Sequence, residues 1–89
     1  MKNKKIIITY GTYDMLHIGH LNILKRAKAL GDYLIVGVTD ELYDRSRGKL
    51  NVSQSTKERM KVIEKLDFVD KVILETHKEQ KAKDMQKYN

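Results

Sequence analysis

Two short β-branched runs, separated by a stretch with helical spacing, set what this chain can fold into. Residues 5–10 read KIIITY and end at Gly11; residues 33–38 read YLIVGV. Continuous apolar runs of this length and composition predict strands buried on both faces. Between them, from Ile18, the apolar positions are Leu21, Ile23, Leu24, Ala27 and Leu30, with Lys25, Arg26 and Lys28 opposite. That spacing predicts an amphipathic helix, and Gly31 behind it predicts a left-handed cap. Strand, helix and strand with short links make a βαβ unit, whose two strands run parallel with a right-handed crossover.

The rest of the chain extends this unit. Residues 40–54 are polar, carry Arg45, Arg47, Gly48 and Lys49, and show no period, so a long loop is expected there. STKE at residues 55–58 is a capping box, with Ser55 as cap and Glu58 reaching back. The helix it opens has Met60, Ile63 and Leu66 on one face. Residues 68–74 contain a third strand, and the lysine-rich tail from residue 78 to residue 89 is expected to be helical. The fold class is therefore α/β, a parallel sheet of about three strands in one small domain.

Composition removes several classes of function. The chain has 89 residues and no cysteine, so neither a disulfide framework nor thiolate chemistry is available. No apolar run approaches the roughly 18–20 residues of a membrane span, and the apolar part of the basic start is shorter than a signal h-region of about 7–15 residues. These features fit a cytoplasmic protein. The net charge of +6 suits an anionic partner. Nucleic acid is not expected, because the few aromatic residues are not interleaved with basic ones on any face.

In open α/β sheets ligands bind beyond the carboxyl ends of the strands. There the chain reads GTYDMLHIGH, residues 11–20. Gly11 lets backbone approach a ligand, and Thr12 follows it. Gly19 falls in the first turn of the helix, where a side chain would crowd anything resting on the helix start. His17 and His20, three apart, share one side of that turn, next to unsatisfied N–H groups and a partial positive charge. Two imidazoles there can grip one phosphate. Asp14 could orient a histidine, hold a metal ion or set the loop. The spacing also allows packing histidines, or a zinc pair completed by His77 or Asp14.

The same ten residues closely resemble the GTFDLLHxGH signature of the cytidylyltransferases, whose HxGH core is shared across a wider nucleotidyltransferase superfamily. LNILKRAKALGDYLIVGVTDE and KERMKVIEKLDFVDKVI continue the resemblance to the short bacterial glycerol-3-phosphate cytidylyltransferases. The resemblance implies a Rossmann-like, three-layer αβα nucleotidyltransferase and a homodimer. It would move CMP from CTP to a small phosphorylated alcohol, release pyrophosphate and use Mg2+, with no separate protein-held metal. Thr12 and Tyr13 would lie along the nucleotide phosphates with Gly11, Asp14 and Gly19, while His17 and His20 would stabilise the α-phosphate. Lys49, or Arg47 beside it, would sit near phosphates. Arg59 would contact substrate or nucleotide, and Lys81 the acceptor. Such proteins carry a later RTxGIST-like segment that is not found in residues 1–89, so the expectation is a fragment of the nucleotidyltransferase domain. An adenylyltransferase and a non-catalytic nucleotide-binding module are the alternatives.

Overall fold

A computed structural model describes residues 4–48, 51–77 and 79–88. Its elements are β1 (Ile6–Gly11), α1 (Ile18–Ala29), β2 (Tyr33–Thr39), α2 (Glu41–Ser46), α3 (Thr56–Glu64), β3 (Lys71–Glu75) and α4 (Gln80–Tyr88). The three strands form one parallel sheet in the order β1-β2-β3.

The register sorts the side chains onto two faces, because residues two apart on a strand share a face. Ile7, Leu34, Val36, Val38 and Val72 lie on one face, where Leu24 of α1 and Ile63 of α3 pack against them. Leu24, Leu34, Val36, Val38 and Ile63 are wholly buried, each contributing about 1.5–3 kcal/mol of transfer free energy. The opposite face carries Tyr10, Ile35, Gly37, Thr39, Lys71 and Glu75. Here α4 is fastened by Tyr10, whose hydroxyl donates to Asp84 at 2.7 Å, and by Lys71, which lies 5.0 Å from the centre of the Tyr88 ring. Gly37 makes room for Tyr10: a Cβ there would sit 2.4 Å from the Tyr10 ring. With helices on both faces, the architecture is a three-layer αβα unit around a parallel sheet.

Several expectations change. β2 is the central strand and is buried almost throughout, but β1 is an edge strand whose residues are all only half-buried. Residues 40–48 are not a plain loop: Asp40 accepts from the backbone of Leu42 at 3.1 Å and opens the short helix α2. A six-residue helix has too few turns to show a period. Gly31 does not adopt a left-handed conformation, and Gly48 is the glycine that does, with φ +82. Gly31 is needed for space, since a Cβ would lie 2.6 Å from Ile7 Cγ1 and 2.8 Å from the Lys5 carbonyl oxygen. The third strand starts at Lys71, after Phe68 and Val69. The capping box before α3 forms as expected: Ser55 Oγ accepts from Glu58 N at 3.2 Å, and Glu58 accepts from Ser55 N at 3.0 Å.

Candidate active site

β1 delivers Gly11 to the carboxyl edge of the sheet, and residues 12–16 turn the chain into α1. Tyr13 and Met15 hold this turn at φ +51 and +49, a conformation that costs side-chain-bearing residues about 1–3 kcal/mol each unless the surroundings impose it. The surroundings do. Tyr13 is 7% exposed; its ring covers Gly11, where a Cβ would come within 2.8 Å of Tyr13 Cζ, and meets the His20 ring edge-on at 5.7 Å. The Tyr13 side chain thus forms the floor of the turn instead of lining a ligand surface, contrary to expectation. Burial pushes its phenol above the ordinary range.

Asp14 sets the loop. Its two carboxylate oxygens accept from the backbone N–H groups of Ser53 and Gln54 at 2.8 and 2.9 Å, and Gln54 Oε1 accepts from Met15 N at 2.9 Å. These bonds, the Ser53 one foremost, hold the Asp14 carboxyl below its usual range. Asp14 is therefore a clamp between two loops, which leaves neither the orienting nor the metal-holding role visible.

His17 is the N-cap of α1, in extended conformation. Its Nδ1 accepts from Gly19 N at 3.1 Å, and His20 Nδ1 accepts from His17 N at 3.2 Å, a capping box built from imidazoles. The rings stack with centroids 3.9 Å apart and planes 26° from parallel. An accepting Nδ1 carries no hydrogen, so the hydrogen-bond pattern assigns the neutral rings their proton on Nε2. Each ring then has an Nε2–H with which to meet an acceptor from outside. Burial, reinforced by the neighbouring His17 and opposed by Asp14, holds the His20 pKa below the ordinary imidazole value. No acidic residue occupies the first turn of α1 to cancel its positive end. Gly19 keeps the pair in place: a Cβ would be 2.9 Å from His17 Cε1, so the missing side chain makes a seat for the His17 ring itself.

Arg59 was expected at a ligand or in solvent and is in neither place. It is 0% exposed, and its guanidinium donates to the carbonyls of Thr12 (2.9 Å), Thr39 (2.8 Å) and Gln54 (3.1 Å) and to Thr56 Oγ1 (3.3 Å). Asp44, 1% exposed, lies 3.4 Å away and accepts the Thr12 hydroxyl at 2.8 Å. Arg59 thus braces the site from beneath. The sequence carried a hint, because Arg59 is four residues before the buried Ile63 and so shares the inward face of α3. Asp44 carried none. Glu75, at the end of β3, was also missed; it is buried and accepts the Thr39 hydroxyl at 2.9 Å.

Lys81, in α4, is brought to the carboxyl end of β1, its Nζ 5.4 Å from the centre of the Tyr10 ring. Lys49 lies outside the described residues. Arg47 packs on Tyr43 at 4.6 Å and faces Asp44 at 3.5 Å. His77 pairs with Thr76 Oγ1 at 2.9 Å, and among the described residues no three His, Asp or Glu side chains converge as a metal site. The zinc-pair reading therefore has no further ligands to complete it.

The site is thus a helix start with two stacked, proton-donating imidazoles and no acid in its first turn, at the carboxyl edge of a parallel sheet. The sequence profile of the Cytidylyltransferase-like family matches residues 8–89, the turn and both histidines included. The chain belongs to the cytidylyltransferase-like family. The family chain is 44% identical over 85 residues to a glycerol-3-phosphate cytidylyltransferase of Bacillus spizizenii, covering 96% of this chain and 65% of that protein. It is 47% identical over 64 residues to the ethanolamine-phosphate cytidylyltransferase of Mus musculus, covering 71% of this chain and 15% of that one. This cytidylyltransferase-like fold also matches a solved structure, the lipopolysaccharide core biosynthesis protein of Thermoplasma volcanium. The TM-score there is 0.84 at 32% identity, over 96% of this chain and 68% of the other. The chain spans 64–65% of the length of the bacterial glycerol-3-phosphate cytidylyltransferases it matches. Among the described residues, no helix is long and apolar enough to cross a membrane.

Proposed function

We propose that this chain carries the CTP-binding part of a nucleotidyltransferase that transfers CMP to a small phosphorylated alcohol, with glycerol 3-phosphate foremost. The observation that carries the reading is the stacked pair His17 and His20 at the start of α1, each with Nδ1 engaged by backbone. Identity to glycerol-3-phosphate cytidylyltransferases supports the choice of substrates. The same reading includes a cytoplasmic homodimer acting on small molecules, for which sedimentation of the purified protein is the measurement.

In the reaction, an acceptor phosphate oxygen attacks the α-phosphorus of CTP. The bond to the bridging oxygen breaks, and pyrophosphate leaves with that bond's electron pair. Such transfers need positioning and charge neutralisation more than a covalent nucleophile. The two Nε2–H groups and the N–H groups of the first turn of α1 would donate to the α-phosphate oxygens as charge collects there. Thr12 stands at the entry to the turn, and Lys81, 5.4 Å from the Tyr10 ring centre, is a cation near the end of β1 for an acceptor phosphate. Lys49 belongs to the proposal as a phosphate contact. Mg2+ commonly binds through substrate phosphates and only one or two carboxylates. Each Asp14 oxygen accepts one backbone N–H, and among the described residues no three His, Asp or Glu side chains converge around it. The ion is proposed to arrive with the triphosphate, and no step is assigned to it.

The test is titration of Mg-CTP and Mg-ATP into the chain, with pyrophosphate release by the full gene product on adding glycerol 3-phosphate. We expect preference for CTP, and a loss of about 100–1,000-fold in turnover for His17→Ala or His20→Ala with the fold retained. Near-normal turnover in either variant would remove that histidine from the mechanism. Preference for ATP would favour an adenylyltransferase, and binding without pyrophosphate release a non-catalytic module.

A further inference from the structure

Asp44 is a buried acid for which the reaction above has no use. Its Oδ1 accepts the Thr12 hydroxyl at 2.8 Å, and its Oδ2 lies 3.4 Å from Arg59 Nη1 with no hydrogen bond of its own among the described residues. Arg59 in turn donates to the carbonyls of Thr12, Thr39 and Gln54, which belong to the turn after β1, the end of β2 and the stretch before α3. The ion pair by itself is weak evidence for stability; the guanidinium also satisfies three backbone carbonyls. What the ionic arrangement adds is direction. A planar guanidinium, held by its counterion, fixes where the Thr12 carbonyl lies and so fixes the peptide leading into Tyr13. The left-handed conformations of Tyr13 and Met15 need such an external restraint to persist.

We propose that Asp44 is a positioning residue for the nucleotide site. It neutralises and aims Arg59, and accepts the Thr12 hydroxyl, so that residues 12–16 hold His17 and the start of α1 in register for a triphosphate. The proposal rests on the functional reading above for its ligand. It gives Asp44 no contact with that ligand.

Two variants test it. Asp44→Leu with Arg59→Met replaces the pair by apolar groups, and Asp44→Asn removes the charge while keeping the shape. Each is followed by thermal unfolding, by Mg-CTP titration and by nitrogen-15 spectra of the imidazoles and of the backbone of residues 12–16. We expect the double variant, which leaves the carbonyls of Thr12, Thr39 and Gln54 without their guanidinium donor, to unfold below the parent's midpoint. Measured well below its own midpoint, its CTP dissociation constant rises about 10–100-fold, with the His17 and His20 ring signals displaced. Asp44→Asn, measured well below its own midpoint, moves the same signals in the same direction. A double variant with parental CTP affinity and unmoved ring signals would overturn the proposal and reduce the pair to packing. If the parent itself does not bind CTP, the functional reading fails. The ring and backbone signals then decide the positioning claim alone, and unmoved signals refute it. If neither variant folds, the pair is a determinant of folding and the positioning claim is lost.

Discussion

Replacing Gly19 by alanine should separate stability from function in this protein. Gly19 is the second residue of α1, where alanine is the better helix former by about 0.5–1 kcal/mol. Against that gain, a Cβ would stand 2.9 Å from His17 Cε1 and 3.1 Å from Nδ1. The His17 ring is exposed and can swing away, but doing so breaks its bond to Gly19 N at 3.1 Å and its stack on His20 at 3.9 Å. Losing an N-cap bond costs about 1 kcal/mol, which nearly offsets the propensity gain. The net change in stability therefore lies within about 1 kcal/mol, and the unfolding midpoint should move by less than about 8 °C. On the proposed function the expected effect on turnover is much larger. One displaced donor of the kind that stabilises developing charge is worth about 100-fold or more in turnover. Calorimetry of Gly19→Ala beside pyrophosphate release by the same variant of the gene product measures both. Parental turnover in a normally folded Gly19→Ala protein would show that the seat of the His17 ring is irrelevant to the chemistry. A midpoint lowered far beyond that range would show that the glycine is there for the fold.

The opposite outcome is expected at Gly31→Ala. Its Cβ would meet Ile7 Cγ1 at 2.6 Å and the Lys5 carbonyl oxygen at 2.8 Å, and backbone cannot step aside as an exposed ring can. A loss of about 1–3 kcal/mol by chemical denaturation is expected, with the imidazole signals of His17 and His20 unmoved. Stability should also fall on acidification in two stages. The His20 pKa is lowered in the folded chain, mainly by burial, so the unfolded chain takes up the proton first and stability is lost as pH drops below the ordinary imidazole value. Asp14 and Asp70 are lowered by hydrogen bonds, and their contribution, present above the ordinary carboxylate pKa, is lost as pH falls through their folded values. Unfolding midpoints across the pH range give the profile, and His20→Gln should remove the first stage alone.

Much of the site could be read without coordinates because its parts are close in sequence. His17, Gly19 and His20 fall within one helical turn, and the strand before them ends at a glycine. What could not be read is which atoms those residues use. That Nδ1 of each ring would turn inward to cap the helix depends on ring rotation, which spacing does not constrain. Asp14 and Ser53 are 39 positions apart, and Thr12 and Arg59 are 47 apart, so no local pattern announces either contact. Tyr13 reads as a polar aromatic beside a ligand turn, but Gly11 leaves a space that its ring fills more favourably than water would.

From the sequence alone came the parallel βαβ order, the placement of His17 and His20 at the start of α1 and the capping box of α3. All three follow from side-chain periodicity and from unsatisfied backbone groups, which act over a few residues. Only the tertiary structure buried Arg59 against Asp44 and turned Asp14 into a clamp. Those outcomes depend on which distant segments meet at the carboxyl ends of the strands, and a buried charge takes whatever partner that meeting supplies.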